Sequence, residues 1–142
     1  MNRTLRGQFI EGTNNRLIVD DGRLNHGYKV VRFVVSGYPD SSSNDAFCVL
    51  SLDSDTSKVW NWGDNRQIAW AATAIDGTGG AKGSFELIDP GHIVLQDLWV
   101  QGQVSASGGT SAINYFVELE PVTLSDDQAI ITLIKERSQD DL

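Results

Sequence analysis

The eight residues INYFVELE, at positions 113–120, alternate apolar and polar side chains, with Phe116 as the exception on the polar side. Successive side chains of a β-strand point to opposite faces. The pattern therefore predicts a strand with one buried and one largely solvated face. We expect the buried face to carry Ile113, Tyr115, Val117 and Leu119.

Clusters of turn-forming residues recur along the rest of the chain and leave strand-sized segments between them. They lie at positions 12–15, 20–22, 37–43, 76–80, 89–91 and 107–110. This spacing predicts about eight strands in a mostly β, two-sheet antiparallel sandwich of jelly-roll type. The remaining strands are expected at 5–10, 16–20, 28–35, 46–52, 67–73, 83–88 and 93–104.

Three of these segments carry more specific expectations. Segments 93–104 and 114–120 flank a Gly-Gly loop and are predicted to form a hairpin. Segment 28–35 is apolar on both faces apart from two basic residues, which favours a central strand covered on both sides. Segments 5–10 and 16–20 are weaker strands and could form an edge pair.

The chain is predicted to end in a short helix over residues 125–138. Ser125 and Gln128 have the spacing of a capping box, and two aspartates occupy the first turn, where the helix dipole favours negative charge. Ile130, Leu133 and Ile134 follow at helical spacing. Their apolar stripe either caps the sandwich of its own chain, the favoured interpretation, or packs on a neighbouring molecule.

Composition and charge limit the classes of protein to consider. At 142 residues and 40% hydrophobic content, we expect one globular domain over 1–142, with 1–12 as a possible extended arm. The net charge of −8 argues against nonspecific nucleic-acid binding. Residues 1–32 nevertheless hold six basic and three acidic side chains. This basic segment either docks on an acidic neighbour, including a second copy, or is a solvated strand edge, the favoured interpretation.

We find no sequence pattern that predicts catalysis, and we expect no enzyme and no cofactor. His26 and His92 lack a second ligand at metal-binding spacing. Cys48 lies in an apolar run and is expected to be a buried small hydrophobe. Asp53 and Asp55 resemble the start of a calcium loop but lack its central glycine and closing glutamate. No signal peptide or membrane-length segment is expected.

Two tryptophans flank a single asparagine at positions 60–62, followed by polar residues that include Arg66. In an extended segment the two indoles would point to the same side. Three interpretations stay open: Trp60 and Trp62 fill the end of the core, form a protein interface, or hold sugar rings.

Segments 93–100 (IVLQDLWV), 114–120 (NYFVELE) and 133–140 (LIKERSQD) resemble small jelly-roll or sandwich proteins of bacteriophage virions, marine phages in particular. The β-rich chain, the polar Gly/Ser loops, the acidic charge and the terminal helix add to this resemblance. It implies a non-catalytic structural protein, such as a capsid decoration or cement protein, located in the virion. Such proteins form symmetric homo-oligomers, with a trimer favoured here, and bind capsid proteins.

We therefore expect an assembly protein without membrane or direct nucleic-acid partners. A carbohydrate-binding module using Trp60 and Trp62 is the alternative, and a cupin-like enzyme is a weaker third. The candidate interface residues are Arg3, Arg6, Phe9, Trp60, Trp62, Arg66, Ile130 and Ile134.

Overall fold

The computed structural model describes residues 1–20, 22, 23, 25–38, 44–54, 59–75, 81–106 and 112–138. Within these residues the chain forms eight strands and a C-terminal helix. They are β1 (Arg3–Ile10), β2 (Asn15–Ile18), β3 (His26–Tyr38), β4 (Asn44–Ser51), β5 (Gln67–Ile75), β6 (Ala81–Ile88), β7 (Asp97–Ala106), β8 (Ala112–Thr123) and α1 (Asp126–Ser138).

The strands form two antiparallel sheets, ordered β1-β8-β3 and β2-β7-β4-β5-β6. From β1 to β4 the chain alternates between the two sheets. β4, β5, β6 and β7 then all lie in the larger sheet, where β4, β5 and β6 pair in sequence order, and the chain returns to the smaller sheet at β8. The predicted two-sheet sandwich with one terminal helix is confirmed.

β8 is the central strand of the smaller sheet, and its alternation sets one wall of the core. Ile113, Val117 and Leu119 are fully buried, and Tyr115 packs against the same cluster. On the facing sheet Leu50 and Leu98 are fully buried as well. Burying large apolar side chains from both sheets supplies most of the free energy that holds the two layers together.

Segment 28–35 was predicted to be a central strand covered on both sides, and this prediction was wrong. β3 is an edge strand, and only one of its faces is buried. Phe33 and Val35 are in the core, whereas Val31 and Val34 stay exposed. A bulge between Val30 and Arg32 shifts the pairing with β8 and resets which side chains face inward.

Two predicted pairings were also wrong. β7 pairs with β2 and β4, and β8 pairs with β1 and β3, so segments 93–104 and 114–120 lie in different sheets. Likewise β1 and β2 do not pair with each other. The chain crosses from one sheet to the other between β1 and β2 and between β7 and β8, so these neighbours in sequence do not pair.

The predicted capping box is present at the start of α1. The Gln128 N–H donates to Ser125 Oγ at 3.2 Å, and the Ser125 N–H donates to Gln128 Oε1 at 3.0 Å. The helix rests on a small second cluster that contains Leu95, Leu124 and Ala129, with Leu133 packed against it. In the described part of the chain, no helix has the length and apolar character needed to cross a membrane.

Candidate interaction surfaces

Two groups of large apolar side chains stand out among the exposed ones. The first, which we call the aromatic surface, lies on β6 and on the loop between β4 and β5. It consists of the exposed Val59, Trp62, Phe85 and Leu87 and the half-buried Trp60. The second, the isoleucine face, consists of Ile130, Ile131 and Ile134 on α1. Singly exposed apolar residues are ordinary on protein surfaces, but groups of them commonly mark interaction sites.

The aromatic surface lies on the outer face of the five-stranded sheet. Cys48 and Ala71 face the core, so their neighbours along β4 and β5 point outward. The registers place Phe47 beside Ala72, and Ala72 beside Phe85. One step along the sheet, Trp70 lies beside Leu87 in the same way. The outer face of a sheet is often polar, whereas here it carries a continuous apolar band.

Trp60 is a packed residue. Its indole N–H donates to the Cys48 carbonyl at 3.0 Å. Its ring lies edge-on to Phe47 at a centroid distance of 6.4 Å and tilted against Phe85 at 5.4 Å. These contacts fix Trp60 over the sheet and leave it half-buried.

Trp62 differs from Trp60 because 64% of it is exposed. Its ring lies edge-on to Trp70 at 6.3 Å, and Trp70 is buried beneath it. Both predicted tryptophans therefore sit over the outer face of the larger sheet, yet only Trp62 offers most of its surface to a partner.

A buried amide holds this loop in place. Gln67 Oε1 accepts hydrogen bonds from the Asn61 N–H and from the Trp70 indole N–H, both at 2.9 Å. Gln67 Nε2 donates to the Val59 carbonyl at 3.1 Å. A single side chain, only 3% exposed, thus holds the segment that carries the tryptophans at Val59 and at Asn61.

Arg66 is engaged within the same loop. Its guanidinium donates to both carboxylate oxygens of Asp64 at 3.0 Å. The hydrogen bond from Arg66 is the main reason why the pKa of Asp64 lies below its usual value. Arg66 was predicted to be an interface residue. In the structure its guanidinium binds Asp64 within the loop.

A shallow trough of about 300 Å³ lies on the outer face of the five-stranded sheet, beside the aromatic surface. Phe47 and Phe85 form its sides, and small residues, Ala72 and Gly83 among them, form its floor. Asp45 lines the same trough and is exposed. Rings, a flat floor and one carboxylate could hold a ring-shaped polar ligand or a partner side chain.

The predicted basic arm is a strand of its own domain. β1 pairs with β8 along the whole of Arg3–Ile10. The Arg3 guanidinium donates to the Val19 and Ile18 carbonyls at 2.9 and 3.0 Å, and it lies 5.7 Å from the centre of the Tyr28 ring.

The other two predicted residues of β1 have different environments. Phe9 is buried in the core and offers no surface to a partner. Arg6 is exposed and remains available.

The terminal helix has two distinct apolar sides. Ala129 and Leu133 contact the chain's own small cluster. Ile130, Ile131 and Ile134 are 48%, 53% and 60% exposed. Only one of the two apolar sides caps the sandwich. The predicted interface residues Ile130 and Ile134 lie on the other, the isoleucine face.

Burial shifts the pKa of two side chains that the sequence analysis considered, His92 and Cys48. Burial lowers the pKa of His92 below its usual value, while Asp89 acts in the opposite direction. Burial raises the pKa of the Cys48 thiol far above its ordinary range. Among the described residues, no three His, Cys, Asp or Glu side chains are placed to hold a metal. Of the calcium-like pair, Asp55 lies outside the described residues.

The sequence interpretation missed Phe85, Leu87 and Gln67. Phe85 and Leu87 alternate with polar residues in β6, which is the period of a strand with one apolar face. That signal was available, but it does not say whether the apolar face points to the core. Gln67 has no sequence signal, because an isolated glutamine before a strand is ordinary.

No model of a known protein family matches the chain, and no curated protein matches it. The two surfaces are therefore the features from which a function can be inferred.

Proposed function

We propose that this chain is a non-catalytic virion assembly protein, of the capsid decoration or cement type, that acts as a symmetric homo-oligomer. The observation that carries the proposal is the grouping of exposed apolar side chains into the aromatic surface and the isoleucine face. A chain that works alone in water gains nothing from such groups, whereas an assembly protein buries them against its neighbours.

Charge supports the same function. The chain carries a net charge of −8, and its isoleucines lie on a helix whose first turn is acidic. Acidic side chains near an apolar surface favour partners of complementary charge and disfavour others. The two-sheet sandwich and the resemblance to phage virion proteins make a capsid the proposed partner.

The test is co-sedimentation of the purified chain with shells assembled from the capsid protein encoded by the same genome. We expect the wild-type chain to be an oligomer and to pellet with the shells. Trp62→Ala combined with Leu87→Ser should reduce pelleting, whereas Thr4→Ala, an exposed control on β1, should not. A stable monomer at high concentration that stays in the supernatant would contradict the proposal.

A second candidate function is carbohydrate binding. It is favoured by the exposure of Trp62 and by the trough on the same sheet face, which Asp45 and Phe85 line. Stacking on an exposed indole and a hydrogen bond to a carboxylate are the usual means of holding a sugar ring. Glycan-array binding that Trp62→Ala abolishes, with an unchanged circular dichroism spectrum, would support this function, and an array without binding would exclude the tested sugars.

A further inference from the structure

Two troughs lie side by side on the outer face of the five-stranded sheet, and Phe47 separates them. The first trough is the one of about 300 Å³ between Phe47 and Phe85. The second trough, of about 430 Å³, lies on the other side of Phe47, over β7. Its other lining residues are Glu11, Gly12, Gln103, Val104 and Ser105. Phe47 is therefore a wall that the two troughs share.

The register of the strands explains the shape of the first trough. Phe85, Ala72 and Phe47 lie in one row across β6, β5 and β4. Neighbouring strands are about 4.8 Å apart, so the Cα atoms of the two phenylalanines are roughly 10 Å apart, with only an alanine between them. At Gly83, in the next row, no atom lies within 4 Å of the position of a Cβ, so the trough is open there.

Each trough has one carboxylate beside its apolar wall. Asp45 lines the first trough and is exposed. Glu11 lines the second trough, where the Val104 N–H donates to its Oε2 at 2.9 Å and holds it in place. A carboxylate that accepts one hydrogen bond still has lone pairs for an incoming cation.

The strands around the troughs supply almost no positive charge of their own. Across β4, β5, β6 and β7 the only basic residue is Lys82. Lys82 alternates with Gly83 along β6, so it shares the strand side of Glu86, which reaches the facing sheet. Among the described residues, neither Asp45 nor Glu11 takes part in an ion pair. Both carboxylates are therefore placed to attract a cation from another molecule.

We propose that the two troughs bind arginine side chains from an extended segment of a partner protein. A guanidinium group stacks on aromatic rings and pairs with a carboxylate through two parallel hydrogen bonds, and its methylene stem packs on an apolar floor. The net charge of −8 attracts such a segment. The inference goes beyond the proposed function, because it concerns the chemistry of the bound group and holds for a capsid or any other partner.

The first experiment is an NMR titration of the ¹⁵N-labelled full chain with acetyl-arginine amide. The backbone signals of Phe47, Ala74 and Gly83 should shift. Acetyl-citrulline amide has nearly the same shape but no charge, and it should bind at least about fivefold more weakly. Acetyl-lysine amide should also bind more weakly, since an ammonium group cannot form the planar two-bond pair.

A peptide tests whether the two troughs act together. In an extended chain, residues i and i+3 are about 10 Å apart, which matches two strand spacings. The peptide acetyl-Arg-Gly-Gly-Arg-amide should therefore bind at least about tenfold more tightly than acetyl-arginine amide, because it fills both troughs at once. Glu11→Gln should reduce this advantage, since it removes the charge of the second trough.

Two substitutions test the first trough. Asp45→Asn removes its charge, and Gly83→Leu fills it from a strand position where nothing crowds a new side chain. Each should weaken binding of the peptide by at least about fivefold. Glu120→Gln is the control, because it removes the same charge from an exposed position on the other sheet, and it should leave binding unchanged. Circular dichroism should show that all three variants are folded.

The outcomes separate this inference from both candidate functions. Citrulline or lysine amides that bind as tightly as the arginine amide, or unchanged peptide binding in Asp45→Asn and Gly83→Leu, overturn it. Trp62 lines neither trough, so a folded Trp62→Ala chain should lose any sugar binding but keep arginine binding, and loss of arginine binding overturns the location. Shell pelleting without arginine binding overturns this inference alone, and arginine binding without pelleting supports it while contradicting the assembly function.

Discussion

Glu86 on β6 accepts a hydrogen bond from the backbone N–H of Phe33 on β3, at 2.6 Å from Oε2. β3 is the edge strand of one sheet and β6 is the edge strand of the other, so this bond joins the two open edges. An unpaired N–H on a strand edge is a template for pairing with other chains, and a carboxylate from the facing strand removes one such donor.

Glu11 also accepts a hydrogen bond from a strand N–H group, on β7. Its Oε2 accepts a hydrogen bond from the Val104 N–H on β7 at 2.9 Å. β2 spans only Asn15–Ile18 and is too short to pair with the whole of β7. Two glutamates thus occupy strand N–H groups that no neighbouring strand reaches, which keeps the sandwich from growing by strand addition.

We expect Glu86→Ala to lower the free energy of unfolding by about 1–3 kcal/mol, because it leaves the N–H of the fully buried Phe33 without its partner. Glu86→Gln should cost less, since an amide oxygen can still accept. Urea unfolding followed by circular dichroism measures both. Ser84→Ala, exposed on the same strand, is the control, and an equal loss there would contradict the role given to Glu86.

Gln67→Ala should be among the more damaging substitutions of a polar residue. It removes the acceptor for the Asn61 and Trp70 N–H groups and the donor to the Val59 carbonyl. With the Trp70 indole buried, we expect a loss of about 3 kcal/mol in the free energy of unfolding. Gln103→Ala, at an exposed glutamine of β7, should change it little. Similar values for the two variants would show that the loop does not depend on Gln67.

The two tryptophans of the loop should respond differently to truncation. Trp60→Ala loses the hydrogen bond to Cys48 and the ring contacts with Phe47 and Phe85, so we expect about 2–4 kcal/mol of destabilisation. Trp62→Ala should cost about 1 kcal/mol or less, because most of the ring is exposed. Chemical denaturation of both variants checks this order, which would be reversed if Trp62 were the core residue.

Gly102→Ala should destabilise the chain by about 1–3 kcal/mol. A Cβ at this position would lie 2.5 Å from Cys48 Sγ and 2.8 Å from the Phe47 carbonyl oxygen. Gly83→Ala is a matched control in the same sheet, because no atom lies within 4 Å of its Cβ position. It should be neutral or slightly stabilising, as glycine weakens a strand interior. The changes in melting temperature that the two substitutions cause should therefore differ in sign, or at least clearly in size.

His92 should make stability depend on pH. Its pKa in the folded chain lies below the ordinary value of 6.5, mainly because burial disfavours the charged ring. The neutral form is favoured on folding, so this contribution is complete above the ordinary pKa and is lost as the pH falls below it. His92→Gln should therefore flatten the decline in unfolding free energy between about pH 7.5 and about pH 5.5. His26→Gln is the control, and an unchanged slope in His92→Gln would contradict the assignment.

Local patterns in the sequence predicted the elements well. The alternation at 113–120 depends only on the two-residue period of a strand, and the capping box at Ser125 depends on two side chains three residues apart. Both signals are complete within a few residues, so no tertiary contact was needed to interpret them.

The pairing of strands could not be predicted in the same way. β7 and β8 are separated by only a few residues, including Gly108 and Gly109, yet they lie in different sheets, and β3 is an edge strand despite its apolar residues. Which strand becomes a neighbour depends on how two layers bury a shared core. The free energy gained by burying this core depends on contacts between strands from the whole chain.

For the candidate surfaces the division is similar. The apolar character of Trp60, Trp62, Ile130 and Ile134 and the acidic first turn of the terminal helix can be seen in the sequence alone. Tertiary contacts set the rest: Trp60 is packed and Trp62 exposed, Phe9 is in the core, and the helix turns Leu133 inward and its isoleucines outward. Exposure is what remains after every neighbour has packed, so it is set by contacts between residues far apart in sequence.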